Sequence, residues 1–410
     1  MGRNLITALD IGTSTVQAVI AEHKRGEDAL RVLGVGVASS AGVRRGIVVD
    51  VDEATMAIKN AVNEAHRAAG VLPRAVWVGV GGAHVSVSSS RGIVAVSRAD
   101  GEISSEDVRR AVAAAETFIP KNPNREILHI IPRDFKVDQE GGIKDPVGMH
   151  GVRLEVDSLI IECSSSFLKN VFKCVEGAGL KVQDYVFSPL ATADVVLTKR
   201  QKELGVVLLD IGGGTASFMV FEEGMPMHAG VVPVGGAHIT GDVAIGFRTH
   251  VDVAEQIKLA HGTCIPADVG KKDVIKLADF VPEERTIFSR RELAEIIEAR
   301  LLDVFEAVQR ELKKIERKQL LPAGVIIVGG SAALPGLVMR AKQELGLPVE
   351  LGIPRTQGVA MDASVAPSFA SVLGVLHWAE THGGGVHTSS SKYASAHWGK
   401  IVRWLRTLLP

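Results

Sequence analysis

The sequence predicts an α/β protein built as two related halves that close over a ligand, with a small α/β subdomain inserted in the first half. Three observations carry this. The segments ITALDIGTST (6–15) and VVLLDIGGGT (206–215) align without a gap at an offset of 200 and share Leu-Asp-Ile-Gly and a final Thr. Each runs on into a second apolar stretch, VQAVIAEH or SFMVFEEG, so each reads as strand, tight glycine turn, strand. A weaker echo pairs AVWVGVGGAHV (75–85) with GVIIVGGSAALPG (324–336), both buried-type strands that reach a Gly-Gly. Strands and helices repeated in this order make two α/β halves, and the crevice between them is the default ligand site.

Composition narrows the function. At 410 residues, 46% hydrophobic and 23% charged, the chain is long enough for two domains with sizeable cores. Lys+Arg 46 against Asp+Glu 47 leaves a net charge of −1. Bulk attraction to nucleic acid or membrane is thereby excluded, no nucleic-acid partner is expected, and any membrane attraction must be local. Cys163, Cys174 and Cys264 fit neither a disulfide framework nor a zinc spacing. No stretch reaches the ~18–20 apolar residues of a bilayer span. The opening MGRNLITALDIG runs straight into a strand without a signal-peptide core, so a cytosolic chain with peripheral membrane contact is expected.

The repeated turns suit a nucleotide. Backbone N–H groups at Gly12, Gly212, Gly213 and Gly214 can cradle phosphate oxygens, and Thr13, Ser14, Thr15 and Thr215 add hydroxyl donors. Asp10 and Asp210 would face the same polyphosphate. Two carboxylates there repel unless a divalent cation lies between them, which predicts Mg²⁺ held through water. No G-x-x-x-x-G-K-[ST] motif occurs, which argues against a P-loop.

This constellation resembles the actin-like ATPase superfamily, which implies duplicated actin-like (ribonuclease H-like) halves around an ATP cleft. Its two phosphate motifs map onto Asp10-Ile-Gly-Thr13 and Asp210-Ile-Gly-Gly-Gly-Thr215. Its adenosine motif maps onto Gly329, Gly330 and Ser331 and runs on through Leu334-Pro-Gly336, where Pro335 is expected to open a helix. PVGGAHITGDVAIGF (233–247), containing Gly235 and Gly236, and then Glu255 and Lys258, resemble the helical pair on the adenine side. Glu255 and Lys258 share one helix face at i, i+3.

Segment 85–162 reads as alternating strand, a helix started at Ser104 or Ser105 with acidic residues in its first turn, and two further strands. Its wording resembles the FtsA family of bacterial division proteins. The resemblance rests on REILHIIPRDFKVD (125–138), IKDPVGM (143–149), SSFLKNVFKCVEGAGLKV (165–182) and FSRRELAEIIEARL (288–301), and covers about residues 4–376. It implies subdomain 1A over 1–84 and 163–204, an inserted 1C over 85–162, and 2A over 205–247 and 316–380 with a return to 1A. It implies 2B over 248–315, whose surface, with Arg300, docks the C-terminal tail of FtsZ. Self-association into filaments, and contact with later division proteins through 85–162, are implied as well.

Where chaperones and MreB carry a water-orienting Glu-Pro, this chain has Ser188-Pro189. A hydroxyl is a poor base beside a carboxylate, so at most a slow ATPase is expected.

The C-terminal stretch reads differently. Residues 381–396, rich in Gly, Ser and Thr, form a flexible linker. In HWGKIVRWLRTLLP (397–410), Trp398, Ile401, Val402, Leu405, Leu408 and Leu409 fall on one helical face, with Trp404 at its border and Lys400, Arg403 and Arg406 opposite. This is an amphipathic helix for an anionic lipid surface, to which three basic residues contribute about 3 kcal/mol. The expected location is the cytoplasmic face of the membrane, at the division site. Three alternatives carry less. A sugar-type kinase needs an aspartate base in a substrate pocket, and a chaperone needs a peptide-binding module after residue 376. A PilM-like pilus-assembly tether shares fold and insert but lacks this tail.

Overall fold

A three-strand antiparallel meander opens the chain in the computed structural model, which describes residues 4–23, 30–120, 122–355, 362 and 364–382. Its strands are β1 (Asn4–Ile11), β2 (Thr15–His23) and β3 (Leu30–Ser39). There follow the two-residue strands β4 (Val43–Arg44) and β5 (Ile47–Val48), helix α1 (Val51–Ala69) and strand β6 (Ala75–Val80). The insert holds β7 (Ser86–Ala95), α2 (Ser105–Thr117), β8 (Arg125–Val137), β9 (Glu140–Ile143) and β10 (Arg153–Ser164). The first half then finishes with α3 (Ser165–Gly177), β11 (Lys181–Phe187), α4 (Ser188–Val196) and α5 (Lys199–Leu204).

The second half begins with β12 (Val206–Ile211), β13 (Ala216–Glu222) and β14 (Met225–Val232). Helices α6 (Gly236–Gly246) and α7 (Val251–His261), the ribbon β15 (Val274–Lys276) and β16 (Ile287–Ser289), and α8 (Arg290–Lys314) come next. It ends with β17 (Val325–Val328), α9 (Leu337–Leu345), β18 (Val349–Leu351) and α10 (Ala370–His382).

The two main sheets have orders β11-β6-β1-β2-β3 and β14-β13-β12-β17-β18. In each, a meander is extended by two strands parallel to its first strand, so the second sheet repeats the first strand for strand. The duplication read from the two Asp-Ile-Gly segments is therefore a duplication of topology. Both faces of each sheet are covered, which is why β1 and β12 read as apolar runs rather than alternations. Leu9 and Ile20 pack beneath α1 and α3, whereas Ala8 and Val19 face α4 and α10.

Local signals set the helices. α1 starts at Asp50, whose carboxylate accepts from Asp52 N and Glu53 N, and stops at Gly70 in the left-handed region (φ 67°). α2 starts in a capping box between Ser104 and Asp107, as its Ser-x-x-acid spelling announces. The insert's sheet, order β7-β10-β8-β9, closes on α2 around Ile103, Val112, Phe135 and Ile160. Three strands follow α2, one more than the sequence suggests. The extra one, Glu140–Ile143, carries Glu-Gly-Gly and no apolar alternation, and pairs back through a turn at Asp138 and Gln139, both at positive φ.

α10 crosses back from the second half and packs between the halves, in one core with Leu190, Leu208, Met219 and Trp378. It crosses α4 at Gly374, where a Cβ would lie 2.6 Å from Thr192 N and 2.7 Å from Ala191 O. Gly374→Ala is expected to lower stability by about 1–3 kcal/mol. Gly241→Ala, where a Cβ meets nothing within 4 Å, serves as the control and should be neutral or slightly stabilising. Equal urea midpoints for the two variants would contradict this packing.

Candidate functional site

The two glycine turns close in the same way and meet face to face. Gly12 N donates to Thr15 O at 3.0 Å, and Gly212 N donates to Thr215 O at 3.0 Å. A Cβ on Gly213 would run into Ser14 Oγ, and one on Gly214 would run into Thr13 Oγ1 and lie 2.7 Å from Arg45 Cα. Thr13 Oγ1 accepts from Gly46 N at 2.9 Å, fixing the first turn to the loop between β4 and β5. The second turn is fixed from the start of α6, where Gly236 N donates to Gly212 O (2.9 Å) and Ala237 N to Gly213 O (2.7 Å). Gly235 leaves no room for a side chain: a Cβ there would lie 2.8 Å from both Gly213 O and Thr215 N.

Asp10 stands opposite Gln17 in the first hairpin, and Asp210 opposite Ser217 in the second. Both carboxylates are half-buried on the sheet faces that look toward α4 and α10. Burial, then the like charge of Asp210, pushes the Asp10 carboxyl up to about 7. Burial also raises Asp210, and the Ser371 hydroxyl, donating to Oδ2 at 2.8 Å, offsets part of that. Gly329 (φ 93°) has no space for a Cβ against Asp210 Oδ1.

Ser188 is buried at the start of α4, and its Oγ has no hydrogen-bond partner. A Cβ on Gly79 would lie 2.8 Å from that Oγ and 3.2 Å from Asp10 Oδ1, so Ser188 and Asp10 border one spot. Thr192 Oγ1 donates to Ser188 O (2.7 Å) and lies 3.5 Å from Ser371 Oγ, which completes a polar path from Ser188 to Asp210. Among the described residues no group of three or more His, Cys, Asp or Glu side chains is poised around a metal.

To one side, Lys258 is buried rather than solvated. Its Nζ lies 2.7 Å from Glu255 Oε2, 2.9 Å from Thr240 Oγ1 and 3.3 Å from Gly236 O. Thr240 is hydrogen-bonded with Glu255 in turn. Ser331 Oγ would lie 2.7 Å from a Cβ on Gly236, so Gly236, Lys258 and Ser331 converge. Gly330 borders this cluster without needing to be glycine for space, since a Cβ there meets nothing within 4 Å. Helix α9 starts at Leu337, not at Pro335. Gly336 in the left-handed region (φ 82°) intervenes, and Pro335 O accepts from Cys264 N at 2.8 Å.

Arg300 stands apart from the turns and ties α8 to α6. Its fork grips Asp242 at 2.7 and 3.0 Å while Nη1 donates to Asp303 at 2.9 Å, and the bond to Asp242 raises its pKa further. Trp398, Ile401, Val402, Trp404, Leu405, Leu408 and Leu409 lie outside the described residues. Sequence reasoning missed Gln17, which is buried, donates to Ser368 O at 3.1 Å and leaves Oε1 without a partner. Its signal was a lone amide among the apolar residues of VQAVIA.

Two duplicated sheets joined by α4 and α10 make the chain a member of the actin-like ATPase fold class. Solved structures of that fold superpose on it: the PilM-PilN type IV pilus biogenesis complex (TM-score 0.68, 18% identity, 92% of this chain and 99% of that one). MreB5 of Spiroplasma citri bound to ADP gives a TM-score of 0.54 at 12% identity, over 92% of this chain and 96% of that one. Family models match at residues 207–374 (Cell division protein FtsA) and 82–162 (SHS2 domain inserted in FTSA). Cell division protein FtsA of Pseudomonas aeruginosa is 34% identical over 95% of this chain and 94% of its own length. The chain belongs to the FtsA family of cell division proteins.

The raised Asp10 carboxyl gives a pH signature. Between about pH 4 and 7 the folded chain keeps a proton that the unfolded chain has lost, so this group's contribution to stability declines as pH rises through that window. Without added cation, Asp10→Asn should gain stability over the native chain above pH ~7, by on the order of 1–4 kcal/mol, and gain little below pH ~4. Parallel urea midpoints across the whole range would refute the assignment.

Proposed function

We propose that the chain binds ATP with Mg²⁺ between the two glycine turns and tethers FtsZ filaments to the cytoplasmic face of the membrane at the division site. The observation that carries the nucleotide reading is the meeting of the turns. Two backbone cradles, one from each half, confront each other with Asp10 and Asp210 behind them and Lys258, Glu255 and Ser331 alongside. Two half-buried carboxylates raised in pKa are a donor set short of ligands, and that suits a hard cation completed by water and phosphate oxygens. Mg²⁺ would supply charge neutralisation between Asp10, Asp210 and the polyphosphate. Gly235 and Gly236 would let the adenosine approach backbone, with Glu255, Lys258 and Ser331 as its polar partners.

Hydrolysis is the minor part of this reading. At the spot that Gly79 leaves between Ser188 and Asp10, the chain offers a hydroxyl where a carboxylate would polarise a water. ATP therefore acts as a clasp between the halves more than as a fuel. Turnover is expected to be slow, and Ser188→Ala should alter it far less than the ~10²–10⁴-fold that losing a general base costs. Abolition of turnover in that variant would contradict this.

The tether reading rests on family membership together with the amphipathic residues 397–410. Among the described residues no helix is long and apolar enough to cross a membrane, in keeping with peripheral attachment. Docking of the FtsZ C-terminal tail on 248–315 would place an acidic or amide group near Arg300, in competition with Asp242 and Asp303. The chain would self-associate into filaments, whose many tails strengthen attachment by avidity, and would meet later division proteins through 85–162. The test is recruitment of fluorescent FtsZ filaments to supported anionic bilayers. Recruitment should require this chain and be lost with Trp398→Glu plus Leu405→Glu. Equal recruitment by that variant would overturn the tether reading.

A further inference from the structure

The first sheet has one end at the glycine turns and another that the nucleotide reading leaves unused. Strands β1, β6 and β11 all start at that second end, and they are in register there, with Lys181 beside Ala75. Helix α10 runs the same length: Ser371 near its start reaches Asp210, and Glu380 near its finish lies 4.0 Å from His23 at the end of β2. The described chain thus arrives at this end at His382, and residues 383–410 follow from it.

A groove of about 380 Å³ opens at the same end, lined by Arg74, Phe172, Glu176, Leu180, Lys181 and Val182. Three strand spacings of about 4.8 Å separate β11 from β2, and the groove, bordered by α3, lies on the opposite face of the sheet from α10 at this same end. The rim is apolar and basic. Phe172 in the lining is 41% exposed, and Leu72, two residues before Arg74 in the chain, is 62% exposed. Lys169, Phe172, Lys173 and Glu176 share one exposed side of α3, within about 100° of its circumference. Arg74, Lys169, Lys173 and Lys181 are all exposed, and none forms an ion pair among the described residues. Four unpaired cations stand against Glu176, in a chain whose net charge is −1.

We propose that this end of the first half is a second membrane-contact surface. Arg74, Lys169, Lys173 and Lys181 bind an anionic lipid surface, and Leu72 and Phe172 enter its headgroup region. The inference rests on residues 397–410 being the anchor, and adds orientation to it: anchored beside this face, the body lies with its first half on the bilayer and its glycine turns at the far end. Charge selects lipid over the chain's own C-terminal segment as the occupant. Lys400, Arg403 and Arg406 would be repelled by the groove, whereas an anionic leaflet attracts both. The attraction acts within about 10 Å, so it engages only after the anchor has brought this face close.

The test uses the full chain and vesicles of phosphatidylglycerol in phosphatidylcholine. Lys173→Glu with Lys181→Glu should weaken partitioning about tenfold or more, since each basic residue is worth roughly fivefold near such a surface. Binding to pure phosphatidylcholine should barely change. Leu72→Ser with Phe172→Ser should weaken both, and a fluorophore at Phe172→Cys should be quenched by headgroup spin labels. Thermal midpoints within a degree or two of the native chain keep misfolding from mimicking the effect. Native-like partitioning by both pairs, or an unquenched label on bound protein, overturns the proposal. So does a loss of vesicle-free self-association with partitioning unchanged, which would make the face a contact between copies. Trp398→Glu with Leu405→Glu is the separate arm. If that variant binds like the native chain the anchor reading fails, while the charge-reversal pair still reads the surface.

Discussion

Two carboxylates that should avoid each other hold the organisation of this molecule together. Asp10 and Asp210 come from opposite halves, at equivalent places in equivalent hairpins; burial raises both carboxyls, and the charge of Asp210 adds to the cost of ionising Asp10. A cation between the halves, as proposed, would offset that cost. The surrounding geometry keeps the space between them narrow. Glycine occupies 213, 214, 235 and 329 because a side chain at any of them would strike the facing turn, the neighbouring backbone or the Asp210 carboxylate. The hydroxyl of Ser371 reaches Asp210 from α10, a helix that follows the second half in sequence and packs against α4 and β1 of the first.

That helix links the carboxylates of the cleft to the core that the two halves share. α10 and α4 cross at Gly374 within a core that takes residues from both sheets, so the halves cannot shift without repacking it. The insert is braced across the same divide. Arg133 on β8 donates to Met227 O on β14 at 2.8 Å, while Lys144 pairs within the first half, with Glu203 on α5, at 3.2 Å. The insert, residues 82–162 in the family match, is thus tied by a backbone hydrogen bond to the second half as well as to the first.

Much of the fold and of the cleft is legible in the amino-acid sequence. Asp-Ile-Gly at 10–12 and at 210–212 discloses the duplication because a glycine turn between two apolar strands is a local pattern. Ser104 and Asp107 disclose the start of α2 for the same reason. What stays hidden is tertiary. Spacing puts Glu255 and Lys258 on one helix face, but only the fold of α6 against α7 buries Lys258 beside Thr240 and Gly236. Pro335 looks like a helix opener, but Gly336 in the left-handed region delays α9 by two residues. Gln17 and Ser371 gain their significance only from which carboxylate each stands beside.

On this account, cation and nucleotide together relieve the repulsion between Asp10 and Asp210. Calorimetric titration of ATP into the purified chain, with Mg²⁺ and then with chelator, tests this most directly. ATP should bind at least about tenfold more tightly with Mg²⁺, a preference that shrinks toward none in the doubly neutralised Asp10→Asn, Asp210→Asn chain. Equal affinity with and without Mg²⁺ in the native chain would contradict the account.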